Sequence, residues 1–351
     1  MSRAPIPVVL VAGFLGSGKT TLLNHLLRNA SGTRIGVLVN DFGAINIDAM
    51  LIAGQADGTV SLSNGCMCCS VDADGVQAAL DQLVRPAAAI DAIVIEASGI
   101  AEPRALVRMI TGIADARLRY GGLVYVVDAA GFEQTRERHP EIDRHLEIAD
   151  LVVLNKVDLV DTAHLERIRA RIVERNDTAP MVATTDSVVD SEMLFDHPER
   201  PGSAAPRSGQ LTLDELFAEC GTSTDADRHE HDHHHLHDQY RTIAYATERP
   251  MDPRRLAGFL ERPPAGCYRI KGVVAFDVPG HRQKFMVHAV GGFIRVQRGP
   301  WGDQSPSTSI VAIGVGLDDV EVRDRLDAAV DQGVDDEHGI LSITRYLITA
   351  P

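Results

Sequence analysis

Gly13-Phe14-Leu15-Gly16-Ser17-Gly18-Lys19-Thr20 is the stretch that decides the fold. It follows an apolar run, Ile6 to Ala12, suited to a buried parallel strand. It precedes Thr21 to Asn29, where Leu22, Leu23, Leu26 and Leu27 recur at helical spacing. Strand, glycine-rich loop and helix in that order make a phosphate-binding loop. The glycines let successive backbone N–H groups turn inward around phosphate oxygens, and the helix start adds a favourable dipole. Gly13, Gly16, Ser17, Gly18, Lys19, Thr20 and Thr21 are therefore the expected nucleotide contacts. Lys19 neutralises the terminal phosphates, and the Thr20 hydroxyl is the expected ligand for Mg²⁺.

Further along, four more apolar runs end in polar residues suited to the same site. Ile35 to Val39 leads into Asn40-Asp41-Phe42-Gly43, and Ala92 to Ile95 leads into Glu96-Ala97-Ser98-Gly99. An acid at a strand end followed by a glycine can couple a γ-phosphate to a moving backbone. Glu96 is the candidate for organising metal-bound or attacking water. Asp41 divides between that role and turn capping, and no general base stands out. Leu123 to Val127 ends at Asp128. Asp150 to Leu154 leads into Asn155-Lys156-Val157-Asp158, where a carboxylate on Asp158 can accept from guanine N1–H and its 2-amino group. Adenine offers neither in that arrangement, so the expected nucleotide is GTP. Asn155 is expected to support the base and its loop, the Lys156 stem to cover a ring face, and Gly99 to meet the γ-phosphate. The loop at Ala183-Thr184-Thr185 is placed to complete the base pocket. A capped turn without nucleotide is the alternative for the Asn-Lys-x-Asp match.

Gly65-Cys66-Met67-Cys68-Cys69 holds three of the five cysteines. In a reducing cell such a set is a soft ligand group for Zn²⁺ or Cu⁺, with a redox pair or inert buried thiols as alternatives. Zinc leads, with Co²⁺ or Ni²⁺ also acceptable to sulfur and imidazole. The cluster lies between the two segments expected to answer to γ-phosphate, so nucleotide state and metal access are expected to be linked.

Residues 196–239 read as a flexible linker with a short helix over Gln210 to Cys220. It ends in a tract containing His229, His231, His233, His234, His235 and His237, six of the chain's 14 histidines. Interspersed acids suit this tract to weak capture of divalent metal, the alternative being a soluble acidic linker. Order returns at 240–351, with strands expected at Thr242–Ala246, Ile270–Phe276, Gln283–Val290 and Ile310–Val315. Helices are expected at Asp252–Leu260 and Asp319–Val330. Arg269 and Lys271 read as a local basic edge, and His281 and His288 as ordinary structural residues. The fold class is α/β: a P-loop GTPase domain with a mostly parallel sheet over 1–195, followed after the linker by a smaller α+β domain.

The 351 residues suit two domains, and a formal net charge of -15 argues against a nonspecific nucleic-acid surface. No apolar run reaches the length needed to cross a bilayer. The cysteine pattern fits a reducing compartment, so the expected location is the cytoplasm. Nothing opposes a nucleotide- or metal-dependent homo-oligomer.

Together these motifs resemble the CobW-like metal-chaperone GTPases. The resemblance rests on Gly13 to Thr20, Asn40-Asp41-Phe42-Gly43 with Ile47-Asp48, Gly65 to Cys69, Glu96-Ala97-Ser98-Gly99 followed by Glu102-Pro103, Asn155 to Asp158, and Arg269-Ile270-Lys271-Gly272. It implies slow intrinsic GTP hydrolysis, a metal at Cys66, Cys68 and Cys69, and delivery to a metal-dependent client protein. Ala44 stands where such proteins commonly carry a second acid. A nucleotide-stabilised metal store and a P-loop small-molecule kinase are the competing readings.

Overall fold

The computed structural model describes residues 4–30, 32–39, 50–52, 73–85, 89–99, 102–196, 240–302, 304–331 and 338–347. The chain divides into two compact units, Met1–Asn176 with Val182–Gln239 and Asp177–Met181 with Tyr240–Pro351.

In the first unit, β1 (Ile6–Gly13) leads into α1 (Lys19–Arg28), then β2 (Ile35–Val39), β3 (Met50–Ile52), α2 (Ala73–Leu83), β4 (Ala92–Glu96), α3 (Pro103–Thr111) and β5 (Leu118–Asp128). After them come α4 (Phe132–Arg138), α5 (Glu141–Leu146), β6 (Leu151–Asn155), α6 (Thr162–Val173), β7 (Met181–Ala183) and α7 (Ser191–Leu194). The strands form one sheet in the order β3-β2-β4-β1-β5-β6-β7. The pairings β2–β4, β4–β1, β1–β5 and β5–β6 are parallel, and the short edge pair β2–β3 is antiparallel. Strands of this kind are covered on both faces, which is why they read as unbroken apolar runs. Val8, Val9, Leu10, Val11 and Ala12 are at most 1% exposed, and Leu22, Leu23, Leu26 and Leu27 of α1 are equally buried.

Because β2 follows β1 in sequence but lies on the far side of β4, the chain reverses its winding direction beside β1. In open α/β sheets that switch point, at the carboxyl ends of the strands, is where ligands bind. The phosphate loop sits there.

β5 begins at Leu118, five residues earlier than the pattern suggests. The Gly121-Gly122 pair looks like a strand breaker, yet it carries a bulge: Tyr120 pairs with Val8 and Gly122 with Val9, so Gly121 is the extra residue. A Cβ at Gly121 would come 2.8 Å from the Val9 side chain, and Gly122 has φ +111°.

The second unit holds β8 (Arg241–Thr247), α8 (Pro253–Glu261), β9 (Cys267–Val274), β10 (Lys284–Val290), β11 (Phe293–Gly299), β12 (Thr308–Gly314), α9 (Asp319–Ala328) and α10 (Leu341–Thr344). Its sheet runs β11-β10-β9-β12-β8 and is antiparallel throughout. Phe259, Leu260, Ile270, Phe285, Val287, Ile310 and Leu326 belong to its core. β11 is absent from the sequence reading because Arg295, Gln297 and Arg298 dilute its apolar alternation. Arg269 does not form a basic edge: on the inner strand β9 it is 1% exposed. The helix expected over Gln210 to Cys220 lies outside the described residues. Among the described residues no helix is long and apolar enough to cross a membrane.

Candidate nucleotide site

α1 starts straight from the loop, with Gly18 as its left-handed N-cap and no acidic residue in its first turn. An anion approaching that end meets the positive pole of the helix with no acidic residue of the helix's own first turn opposing it. Gly13 and Gly18 have φ of +149° and +109°, backbone conformations that side chains rarely tolerate. Space is also lacking: a Cβ at Gly13 would lie 2.3 Å from the Val126 carbonyl oxygen, and one at Gly18 would lie 2.3 Å from Asn155 Nδ2 and 2.5 Å from Ser187 Oγ. Gly16 is open, with nothing within 4 Å of such a Cβ. Lys19 is 7% exposed and its ammonium donates to the Phe14 carbonyl at 3.3 Å, so the side chain folds back across the loop.

The Thr20 hydroxyl donates to Glu96 Oε1 at 3.0 Å. The two residues are 76 apart in sequence and meet because β4 lies beside β1. Glu96 is 7% exposed, and the chain beyond it is tied to β1 by the Ala97 N–H on the Val11 carbonyl at 2.8 Å. Gly99 presses on the phosphate loop, where a Cβ would come 2.9 Å from the Leu15 backbone nitrogen. Thr21 is exposed on the first turn of α1. Glu102 caps α3 by accepting from the Arg104 N–H at 3.3 Å, and its other oxygen lies 3.5 Å from His145 Nε2. Burial holds the His145 pKa below its ordinary value, against the opposing pull of Glu102.

The Asn-Lys-x-Asp turn is brought to the same end of the sheet by the Asp128–Asn155 register of β5 and β6. Asn155 is 2% exposed. Its amide nitrogen donates to the Ser17 carbonyl at 2.9 Å, and its oxygen accepts from the Ser187 N–H at 2.8 Å. One side chain thus joins the phosphate loop to the loop after β7. Lys156 sits at φ +61° and its ammonium pairs with Asp128 Oδ2 at 2.6 Å. Asp128 Oδ1 in turn accepts from the N–H groups of Ala130 and Gly131 at 3.0 and 3.3 Å. Asp158 stands exposed in the 3₁₀ turn Val157–Leu159, its carboxylate accessible to a base.

Sequence reasoning placed the pocket-closing loop at Ala183-Thr184-Thr185. The residue that touches Asn155 lies two further on, at Ser187. Thr184 donates its hydroxyl to the Val188 carbonyl at 2.9 Å, and its own carbonyl accepts the Val157 N–H of the Asn-Lys-x-Asp turn at 3.3 Å. Asp128 was legible only as a strand end, although an acid closing so apolar a strand is a usable signal. Nothing in the local pattern marks Ser187. His139, whose ring lies 4.4 Å from that of Phe14 in the phosphate loop, was equally silent. Asp41, Cys66, Cys68, Cys69 and the histidines from His229 to His237 lie outside the described residues.

A phosphate loop at the switch point and an Asn-Lys-x-Asp turn two strands away, clasped by one asparagine, define a P-loop GTPase. The CobW/HypB/UreG nucleotide-binding domain model matches residues 7–183, and the cobalamin synthesis protein cobW C-terminal domain model matches residues 240–330. The chain belongs to this family. A protein named zinc chaperone CobW from Sinorhizobium sp is 29% identical over 94% of this chain and 98% of its own length. One of the same name from Pseudomonas aeruginosa is 31% identical over 93% and 92%. Zinc chaperone YjiA of Escherichia coli is 28% identical over 91% and 97%.

Proposed function

We propose that this chain is a GTP-hydrolysing metallochaperone that binds zinc and delivers it to a client protein. The carrying observation for the nucleotide half is the Asn155 clasp, in which one buried side chain bonds both Ser17 of the phosphate loop and Ser187 of the loop after β7. In this reading Gly13 to Thr21 hold the phosphates, and Lys19 neutralises charge on the transferring group. Asp158 selects guanine, while Asp128 fixes Lys156 against the base.

The residues at the phosphate end fit a magnesium ion. Thr20 and Glu96 offer a hydroxyl and a carboxylate 3.0 Å apart, the hard oxygen donors that magnesium takes. Bound there, it would neutralise charge on the terminal phosphates. Glu96, with Asp41 as the second candidate from the sequence, would orient the attacking water.

For the cargo half, the Cys66, Cys68 and Cys69 thiols supply soft ligands, and the names of the relatives point to zinc. The histidine tract would collect metal at low affinity and raise its concentration near the thiols. The functional layout is then a GTPase domain over 1–195, a metal-collecting linker over 196–239 and a C-terminal domain over 240–351.

The test combines metal content after growth in defined medium with zinc affinity measured in GTP analogue and in GDP. The proposal expects about one zinc per chain, lost when Cys66, Cys68 and Cys69 are replaced by Ser, and at least a roughly fivefold difference in affinity between nucleotide states, the low end for coupled sites. Equal affinity in both states, with tight retention, would make the chain a metal store. Phosphate transfer to an added metabolite in preference to water would make it a kinase.

A further inference from the structure

Ser187 belongs to no recognised motif, yet it is completely buried and bonded at both its backbone and its side chain. Its N–H donates to Asn155 Oδ1 at 2.8 Å and its hydroxyl donates to the Gly18 carbonyl at 3.0 Å. That same carbonyl accepts the Leu22 N–H at 2.9 Å, the first hydrogen bond of α1. At the other end of α1, the Ser191 hydroxyl donates to the Asn29 carbonyl at 3.1 Å. The short segment from Ser187 to Ser191 therefore grips the phosphate-binding helix at both of its ends.

The backbone that does this is strained. Asp186 and Ser187 occupy φ of +56° and +54°, costing of order 1–3 kcal/mol each for residues other than glycine. Such a pair persists only where surrounding contacts over-determine it. Those contacts are the Asn155 amide, the Gly18 carbonyl and the Thr184 hydroxyl on Val188. Gly18 is packed too closely against Asn155 and Ser187 to accept even a Cβ. Slack between base loop and phosphate loop is thus absent in the described residues.

We propose that Ser187 is a positioning residue that transmits base recognition to the phosphate loop, so that this chain discriminates between bases in turnover as well as in affinity. The inference rests on the guanine-nucleotide reading above. A base that engages Asp158 steadies its turn, which holds the segment carrying Ser187 through the Val157 N–H on the Thr184 carbonyl at 3.3 Å, and the Ser187 hydroxyl then holds the first turn of α1 and the Lys19 that follows Gly18. A purine lacking the 2-amino group leaves the segment free to relax, and the loop that must stabilise the transferring phosphoryl group relaxes with it. By linkage the effect is reciprocal: occupancy of the phosphate loop alone must steady the base loop.

Two measurements on the full chain test this. The first is amide hydrogen exchange with inorganic pyrophosphate, which carries no base. Protection should appear at Gly13 to Thr20 and also, by at least about fivefold, at Thr184 to Val188. In Ser187→Ala the loop protection should remain and the protection at Thr184 to Val188 should weaken, the Ser187 N–H bond to Asn155 being kept. The second is turnover of GTP and ITP. For the native chain ITP should show a lower kcat as well as a higher KM. In Ser187→Ala, kcat for GTP should fall while the ratio of the two kcat values moves toward one. Ser187→Gly relieves the positive φ but also lacks the hydroxyl, so it should behave as the alanine variant does.

Pyrophosphate protection confined to Gly13 to Thr20 in the native chain overturns the proposal even if both variants fail to fold. So does an equal fall in kcat for GTP and ITP. If neither pyrophosphate nor GDP protects Gly13 to Thr20, the nucleotide reading itself fails, and the proposal with it.

Discussion

Replacing Gly18 with Ala tests the phosphate-loop geometry at its tightest point. The new methyl group would sit 2.3 Å from the Asn155 amide nitrogen and 2.5 Å from the Ser187 hydroxyl, at a φ of +109°. An L-residue held in left-handed backbone costs about 1–2 kcal/mol. Displacing the two neighbours breaks three hydrogen bonds, Asn155 to Ser17, Ser187 N–H to Asn155 and Ser187 hydroxyl to Gly18, each worth about 0.5–1.5 kcal/mol net. Together these give about 2.5–6.5 kcal/mol, which is shared between folding stability and nucleotide affinity. The core strands β1, β4 and β5 are buried independently of this contact, so the chain should still fold. If about 3 kcal/mol falls on binding, affinity drops about 100-fold. Titration with a fluorescent GDP analogue, paired with urea unfolding, measures both shares. Affinity within about threefold of the native chain together with a stability loss below about 0.5 kcal/mol would refute the argument, since the clash could not then be real.

Other perturbations give separate checks. Asp128→Asn removes the charge opposite Lys156 while preserving shape; KM for GTP should rise roughly tenfold, the loss expected for one charge-assisted hydrogen bond, and an unchanged KM would detach Asp128 from the base site. The Asp150 carboxylate accepts from the Tyr120 hydroxyl at 2.6 Å and the Leu123 N–H at 2.8 Å, and burial pushes its pKa up from 3.8 to about 6. A carboxyl that binds its proton more tightly when folded stabilises the fold most at low pH, so its contribution falls as pH rises from about 4 to about 6. The difference is at most about 3 kcal/mol, and less because the residue as a whole is only partly buried. Asp150→Asn should remove that slope from a plot of unfolding free energy against pH, and an identical slope in both proteins would reject the assignment. Burial lowers the His145 pKa, so the unfolded chain takes up this proton first and stability drains as pH falls below about 6.5; His145→Gln should flatten that part of the curve. Burial also pushes the Cys267 thiol up to about 12, so its alkylation should proceed only on unfolding, which mass mapping after iodoacetamide treatment of folded and urea-unfolded protein would show.

The nucleotide unit was legible because its signals are local. Gly13 to Thr20 encodes its own conformation, and buried parallel strands such as Val8 to Ala12 advertise themselves as apolar runs. Asn155 and Asp158 declare themselves through four adjacent residues. What stayed hidden depends on partners far away in sequence. Ser187 matters only because Gly18 and Asn155 arrive beside it, and Thr20 meets Glu96 only through the β1–β4 pairing. The Gly121-Gly122 bulge hid half of β5, since glycines that permit a bulge look locally like glycines that end a strand. In the second unit Arg269 was misjudged because charge alone suggested exposure, whereas its position on an inner strand of the sheet buries it.

The hydroxyl bond from Ser187 back to Gly18 spans 169 residues of sequence, and this has a consequence for the nascent polypeptide. A ribosome releases the phosphate loop early, but the last piece that holds it in shape is still untranslated. At about 5–20 residues per second, the interval is of order ten to thirty seconds. During it the emerging chain presents an unfinished cradle, whose tie to the base loop closes only once Ser187 has been made.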